Sequence, residues 1–406
     1  MFYGKLQIGW INMLKKKEKI NTMKKEDISF DTKLIHSGEP NPRIGGAANV
    51  PIFQSSTFEY SGQKNYDDLK YIRLNNTPNH IVLHDKLAIL EGAERALVTS
   101  SGMSAITTSL LTFLKSGDHL LAHKTLYGGT ADYVKHDLPQ YGIEFDFINA
   151  MDPSEWVSKL KSNTKVIYVE TITNPLIEVA PLEKIVAFAK ENGLISMIDN
   201  TLASPALFCP IQLGFDISLH SATKYLNGHT DIVAGAIIGN EPHMANINSK
   251  LNHLGGCLDP NACFLLHRGM KTLSLRIKRQ CSNAMKIATF LNNHEMVSHV
   301  NYPGLESDPS HKQAKELLCG FGGMLSFIVK GGVENADKVM SKLKIPMCTA
   351  SMGGVETLIT RPVLTSHSLL SDEELLESGI DKSLIRLAVG IESAEDLIND
   401  LDQALS

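Results

Sequence analysis

An α/β fold is what this sequence predicts: a large domain built on a mostly parallel sheet, followed by a smaller α+β domain. Three observations carry that expectation. From about residue 95, short apolar runs alternate with stretches of helical periodicity, the rhythm of strand–helix–strand units. One run, Lys165–Glu170 (KVIYVE), is rich in β-branched residues of the kind a parallel sheet buries on both faces. Near residue 258 the alternation stops and a long helical stretch opens a region of different character.

The elements follow in order. Ala96–Thr99 is expected as the first strand and Gly102–Leu114 as a helix, its apolar residues spaced three and four apart. His119–Ala122 and Ile143–Ile148 read as strands, the second carrying Phe145 and Phe147. After KVIYVE comes a helix over Pro181–Glu191, with Pro at its start and Gly193 just past its end. Ile195–Ile198 leads into Asp199-Asn200, Ile217–Leu219 leads into His220-Ser221-Ala222-Thr223-Lys224, and Val233–Ile238 closes the series. Beyond it, Asn261–Asn292 is expected as a helical bridge to the second domain. There Met324–Val329 and Leu384–Val389 read as strands, and Glu334–Leu343 and Ala394–Leu405 as helices. The chain thus divides into an extension over 1–27, an arm over 28–80, a large domain over 81–260, and a linker helix with the small domain over 261–406.

Composition removes several classes of function. The 406 residues carry 39 basic and 44 acidic side chains, net −5, which argues against binding nucleic acid, because phosphate backbones need a concentrated basic face. No apolar run approaches the length of a membrane span. Six cysteines never form C-x-x-C, so neither a disulfide framework nor a cysteine zinc site is suggested, and a reducing compartment such as the cytoplasm fits. The lysine-rich extension lacks the charge order of a signal peptide and the arginines of a transit peptide. Met23 opens a second, conventional start within it.

Nucleotide motifs are missing: there is no G-x-G-x-x-G and no G-x-x-x-x-G-K-[ST]. Gly102-Met103-Ser104-Ala105-Ile106 ends in Ile where a nucleophile elbow needs Gly. His294 and His299 are five apart and share no helix face, so they do not form a zinc motif.

What remains is an ordered set of residues at strand ends. Lys224 closes Ser221-Ala222-Thr223-Lys224 directly after a strand, where α/β folds place ligands. A desolvated lysine there can lose its proton and attack an aldehyde, and the hydroxyls of Ser221 and Thr223 can hold a phosphate. Asp199 ends the preceding strand, about one β-α unit earlier; a carboxylate so placed can keep a pyridine nitrogen protonated. Ser100-Ser101-Gly102-Met103 joins a strand to a helix, a turn whose N–H groups suit an anion. Tyr127, before Gly128-Gly129, can stack on a planar ring. Each signal alone has a plain alternative: a surface lysine, a capping Asp, a βα turn, a loop aromatic. Their order makes a pyridoxal 5'-phosphate site the best physical reading.

With those residues in place, the sequence resembles the pyridoxal-phosphate enzymes of cysteine and methionine metabolism. That group includes cystathionine γ-synthase, cystathionine lyases, methionine γ-lyase and O-acetylhomoserine sulfhydrylase. The likeness runs from about Thr32 to the C-terminus. It rests on T-K-L-I-H-S-G (32–38), P-I-F-Q-S-S-T-F (51–58), L-E-G (90–92), S-S-G-M-S-A-I (100–106), L-Y-G-G-T (126–130), E-T-I-T-N-P (170–175), D-N-T (199–201), H-S-A-T-K-Y (220–225), R-G-M-K-T-L-S-L-R (268–276), Y-P-G-L (302–305) and S-M-G-G-V-E-T (351–357).

The resemblance implies a fold-type-I large domain with a seven-stranded type of sheet. It matches Lys224 to the Schiff-base lysine that also shuttles protons, and Asp199 to the partner of the pyridinium nitrogen. Gly102, Met103, Ser221 and Thr223 match the phosphate cup. Tyr127 matches the ring that stacks on the cofactor and assists the leaving group. Tyr71 and Arg73 match a Tyr-x-Arg pair that reaches the phosphate of a neighbouring subunit, which implies that the arm contacts that subunit and that the protein is a homotetramer, a dimer of dimers with shared sites. Arg386 matches the arginine that grips the substrate carboxylate, with Asn174 and Ser351 as its helpers.

The chain departs from the family's usual text in three places. Asn75-Asn76-Thr77-Pro78-Asn79 rearranges the Asn-Pro-Thr that usually follows Tyr-x-Arg. Gly129 stands where methionine γ-lyases often carry Cys, and Ala350 where cystathionine γ-lyases and γ-synthases commonly carry Glu; Ala there leaves room for an apolar tail. The expected activity is a carbon–sulfur lyase acting on methionine, homocysteine or cystathionine by β- or γ-elimination. A γ-replacement enzyme is the alternative, and a non-catalytic scaffold is the alternative of another class.

Overall fold

Seven strands form the large sheet: β1 (Arg95–Thr99), β2 (His119–His123), β3 (Glu144–Ile148), β4 (Thr164–Glu170), β5 (Ile195–Asp199), β6 (Ile217–His220) and β7 (Gly235–Gly239). The computed structural model describes residues 28–60, 62–368 and 370–406, so the extension expected over 1–27 lies outside the described residues. The strand order is β1-β7-β6-β5-β4-β2-β3. Only β7 runs against its neighbours β1 and β6; the remaining pairs are parallel. The carboxyl ends of β1, β2, β4, β5 and β6 therefore open on one edge, where ligands of α/β sheets sit.

Alternation along the strands sends side chains to two faces. Leu120, Ala122, Val166, Tyr168, Met197, Ile217 and Leu219 pack one core with the helices Gly102–Phe113 and His243–Leu254. Ala96, Val98, Leu121, Ile167, Val169 and Ile198 pack the other, with the helices Pro78–Glu91, Leu182–Glu191 and Pro260–Met270. Such coverage on both faces is why KVIYVE reads as a nearly continuous apolar run. One polar pair is buried in the second face: His220 Nε2 lies 2.6 Å from Glu91 Oε1, with the side chains 1% and 0% exposed. Ser218 Oγ (3.3 Å) and Asn200 Nδ2 (3.4 Å) also donate to that Glu91 oxygen, so the helix Pro78–Glu91 is held to β5 and β6 by polar contacts as well as packing.

The second sheet has five strands, β8 (Val297–Asn301), β9 (Met324–Val329), β10 (Met347–Cys348), β11 (Leu358–Thr360) and β12 (Leu384–Ala388), in the order β10-β11-β12-β9-β8. Its pairs are antiparallel except β10 with β11. On β9 and β12, Leu325, Phe327, Ile385 and Leu387 pack against the helices Leu273–Asn292 and Ala394–Leu405. Their alternates Met324 and Ala388 join the core of the large domain. Arg386 lies between Ile385 and Leu387, so alternation turns it toward the large domain.

The structure differs from the sequence reading in detail. The helical bridge over Asn261–Asn292 is two helices, Pro260–Met270 and Leu273–Asn292. The break lies beside Gly269, where a Cβ would come within 2.2 Å of Asn227 O. Arg276, buried at 4% exposure, donates to Tyr225 O at 2.8 Å and Gly269 O at 2.9 Å, so the conspicuous R-G-M-K-T-L-S-L-R segment braces the loop that carries Lys224. β7 starts at Gly235 rather than at Val233, which is 62% exposed. The helix Pro78–Glu91, with Pro at its start and Gly92 closing it at φ 70°, was not foreseen, nor were β8, β10 and β11.

Candidate active site

The turn after β1 shapes one wall. Ser100 N donates to Gly256 O at 2.8 Å, and Ser101 caps the helix Gly102–Phe113 by accepting from Ser104 N at 3.0 Å. A Cβ on Gly102 would lie 2.8 Å from Ser221 Cβ and 3.0 Å from its Cα. Glycine is therefore required for the two strand ends to close on each other. The resulting cradle combines a helix N-terminus with a serine hydroxyl, a donor set that suits a phosphate.

β5 and β6 end side by side. Thr201 joins them: its backbone N–H donates to Asp199 Oδ1 at 2.9 Å, and its Oγ1 accepts from Ser221 N at 2.7 Å. Burial raises the Asp199 carboxyl above its ordinary range, against hydrogen bonds from the Thr201 side chain and N–H and the electrostatic influence of His220. A cation in contact would reverse that rise.

Lys224 follows on a tight turn in which its N–H donates to Ser221 O at 3.1 Å. The Thr223 hydroxyl is engaged by Ala234, accepting from its N–H at 2.9 Å and donating to its carbonyl at 3.2 Å. Lys224 Nζ donates to Ser351 Oγ at 2.7 Å. Burial, with the charge of Arg386 second, brings the ammonium down to about 8, so the nucleophilic free amine is accessible near neutrality.

Arg386 is 3% exposed. Its Nη1 donates to Asn174 Oδ1 at 3.1 Å and its Nη2 to Ser351 O at 2.9 Å. Its Nε is buried without a protein partner. Burial lowers the guanidinium to about 10, which leaves it cationic at neutral pH and able to fork onto a carboxylate. Tyr127 is 43% exposed, and its ring lies against Gly129, where a Cβ would come within 2.7 Å of Tyr127 Cε1.

These parts meet in one cavity of about 630 Å³. It is lined by Gly102, Met103, Tyr127, Asn174, Asp199, Ser221, Thr223, Lys224, Ser351 and Arg386, with Ile106, Leu202, Val233, Ala350 and Met352 as its apolar wall. Ten of the twelve residues singled out from sequence are thus together. Tyr71 and Arg73 are not among the lining residues. Arg73 turns to Asn252 O (2.8 Å) and Tyr66 Oη (2.7 Å), with its guanidinium 5.5 Å from the Tyr71 ring centre.

Two residues escaped the sequence reading. Thr201 stands in the D-N-T segment. Glu170 ends β4, lines the cavity and accepts from Tyr127 N at 2.6 Å. Both sit within segments that carried the family likeness, and that is the one signal that pointed to them. Among the described residues no group of three His, Cys, Asp or Glu could hold a metal. Phosphate cradle, depressed lysine and buried carboxyl together fit pyridoxal phosphate.

Comparison with known proteins agrees. Residues 31–406 match the family described as Cys/Met metabolism PLP-dependent enzyme. The chain is 40% identical over 394 residues to the L-methionine gamma-lyase of Fusobacterium nucleatum subsp. polymorphum, covering 94% of this chain and 99% of that protein. It is 40% identical over 379 residues to the cystathionine beta-lyase of Lactococcus lactis subsp. cremoris, covering 93% and 99%. The cystathionine gamma-lyase structure from Lactobacillus plantarum matches with a TM-score of 0.89 at 35% identity, over 93% of this chain and 98% of that one. The cystathionine gamma synthase structure from Xanthomonas oryzae pv. oryzae matches at 0.90 and 34%, over 93% and 98%. The fold is thus that of the fold-type-I enzymes, a mostly parallel large sheet with a smaller second one, and the chain belongs to the pyridoxal-phosphate-dependent enzymes of cysteine and methionine metabolism.

Proposed function

We propose that this enzyme is a carbon–sulfur lyase that eliminates the sulfur of methionine-, homocysteine- or cystathionine-type amino acids, releasing a 2-oxo acid, ammonia and a thiol. The observation that carries the reading is the placing of a proton-accepting lysine, Lys224, and a carboxylate-gripping arginine, Arg386, around one hydroxyl-bearing residue, Ser351. The relatives named as methionine and cystathionine lyases support it.

When bound, pyridoxal phosphate supplies an electron sink for the carbanion formed at the substrate α-carbon. Gly102, Met103, Ser221 and Thr223 would hold its phosphate, Asp199 its ring nitrogen, and Tyr127 its face. Arg386 binds the substrate carboxylate, with Asn174 and Ser351 fixing its fork. Lys224, held at Ser351, takes the α-proton and, for γ-elimination, moves a second proton at the β-carbon. The Tyr127 phenol then donates to the departing sulfur. Ile106, Val233, Ala350 and Met352 offer an apolar wall to a thioether tail. The test is a substrate panel scoring 2-oxobutanoate against pyruvate from methionine, homocysteine and cystathionine. If Lys224→Ala retained turnover and the cofactor absorbance, the assignment would be wrong.

The likeness to a cystathionine gamma synthase favours γ-replacement as a second reading. O-acetyl- or O-succinylhomoserine with cysteine or sulfide should then give product faster than methionine or cystathionine gives 2-oxo acid.

The assembly we propose is a homotetramer, a dimer of dimers with shared sites. Its support is Arg73, which lies outside the cavity lining of its own chain. Sedimentation, and recovery of activity on mixing Arg73→Ala with Lys224→Ala protein, test it. Six free cysteines support a cytoplasmic location.

A further inference from the structure

Glu170 is the one carboxyl in the cavity that the reaction as described does not use. It is 3% exposed. One oxygen, Oε1, accepts from Tyr127 N at 2.6 Å; the other, Oε2, is buried and has no partner among the described residues. β4 and β5 pair in register so that Glu170 stands directly opposite Asp199, at the two strand ends beneath the cavity.

Two buried carboxylates side by side cannot both ionise cheaply. Asp199 has two hydrogen bonds that favour a charge, from the Thr201 N–H and the Thr201 side chain, whereas Glu170 has the Tyr127 N–H alone. The ionisable groups around Glu170 offer no compensation. β5 presents Asp199, and Tyr168, two residues back on β4, is held neutral by burial. His123 of β2 is likewise held uncharged by burial. The turn that opens the helix Gly128–Asp132 presents the Tyr127 N–H. Lys224 and Arg386, the cations of the cavity, are engaged by Ser351 and Asn174.

We propose that Glu170 is a positioning residue that works as the uncharged acid: its carbonyl oxygen anchors the backbone of Tyr127, and its lack of charge leaves Asp199 as the sole anion beneath the ring site. This rests on the reading of Tyr127 and Asp199 as cofactor contacts. This hydrogen bond ties the Tyr127 backbone, at the entry of the helix that begins at Gly128, to the end of β4, so the place of the Tyr127 ring depends on it.

The charge state is tested on cofactor-free protein by infrared spectroscopy of wild type minus Glu170→Gln. The C=O stretch of a protonated carboxyl should appear in the difference; a carboxylate band in its place overturns the proposal. The anchoring is tested by the dissociation constant of pyridoxal phosphate. Glu170→Gln keeps a carbonyl acceptor and should stay within about threefold of wild type, whereas Glu170→Ala should loosen binding about tenfold, the cost of one lost hydrogen bond. Equal affinity for Glu170→Ala and wild type overturns it, and Glu170→Asp, which shortens the reach, serves if the alanine variant does not fold. Retention of the cofactor absorbance by Lys224→Ala would instead sink the site assignment, and the infrared result is independent of that outcome.

Discussion

Lys224 Nζ donates a 2.7 Å hydrogen bond to Ser351 Oγ, so the lysine that follows β6 is tied to the loop that precedes β11. Ser351 holds that position at φ 89°, a left-handed conformation that costs a non-glycine residue about 1–3 kcal/mol. Ser351→Gly should therefore be more stable than Ser351→Ala, which lacks the same hydroxyl, by about 1 kcal/mol in urea unfolding of the cofactor-free protein. Both Ser351→Gly and Ser351→Ala should lower kcat/KM about tenfold, by loss of the hydroxyl. Unchanged kinetics in Ser351→Ala would remove the hydroxyl from the mechanism.

Lys224 titrates near 8 when folded, below the 10.5 of an ordinary lysine. Between those two values the unfolded chain binds more protons than the folded one, so stability of the cofactor-free protein rises with pH across that window. Below it, the buried cation is a full cost. Lys224→Met should thus be more stable than wild type near pH 7 by on the order of 1–3 kcal/mol, and the gap should close toward pH 10. Thermal melts across that range decide the matter; parallel curves would refute the buried amine.

Gly102→Ala puts a methyl group 2.8 Å from Ser221 Cβ. Forcing the two strand ends apart should weaken pyridoxal phosphate binding on the order of 10- to 100-fold, read by equilibrium dialysis. Far-ultraviolet circular dichroism should be unchanged.

Ala350 lines the cavity next to Ser351. Ala350→Glu should cut methionine turnover relative to cystathionine about tenfold, since a desolvated carboxylate beside an apolar tail costs more than one facing a polar end. The ratio of total 2-oxo acid, 2-oxobutanoate plus pyruvate, formed from the two substrates reports it.

The Glu91–His220 pair is buried between the helix Pro78–Glu91 and β6. Truncating Glu91 to Ala removes the carboxylate partner of buried His220 and Ser218, with an expected loss of about 2–4 kcal/mol in unfolding free energy. A change below about 0.5 kcal/mol, the range of surface substitutions, would show the network to be incidental.

Much of this was legible in the chain because it was written in local patterns. KVIYVE reads as a buried strand since β4 is covered on both faces. Asp199 and Lys224 read as site residues since each follows an apolar run at the same edge of the sheet. β8 was not legible because VSHVN buries only Val297 and Val300 along its length; an edge strand with two apolar anchors has no clear period. The break at Lys271 escaped for a related reason: helical spacing continues through it, and the cause, Asn227 against Gly269, is distant in sequence. Glu170 looks like any polar strand end until its burial and its contact with Tyr127 are seen.

Arg386 is carried by the five-stranded sheet, while Lys224, Asp199 and Gly102 stand at the edge of the seven-stranded one. On the proposed roles, recognition of the amino acid and handling of its protons are consequently carried by two different sheets. A lineage can retailor one layer, through positions such as Ala350, and inherit the other intact. A single catalytic apparatus can in this way be refitted to different sulfur compounds without being rebuilt.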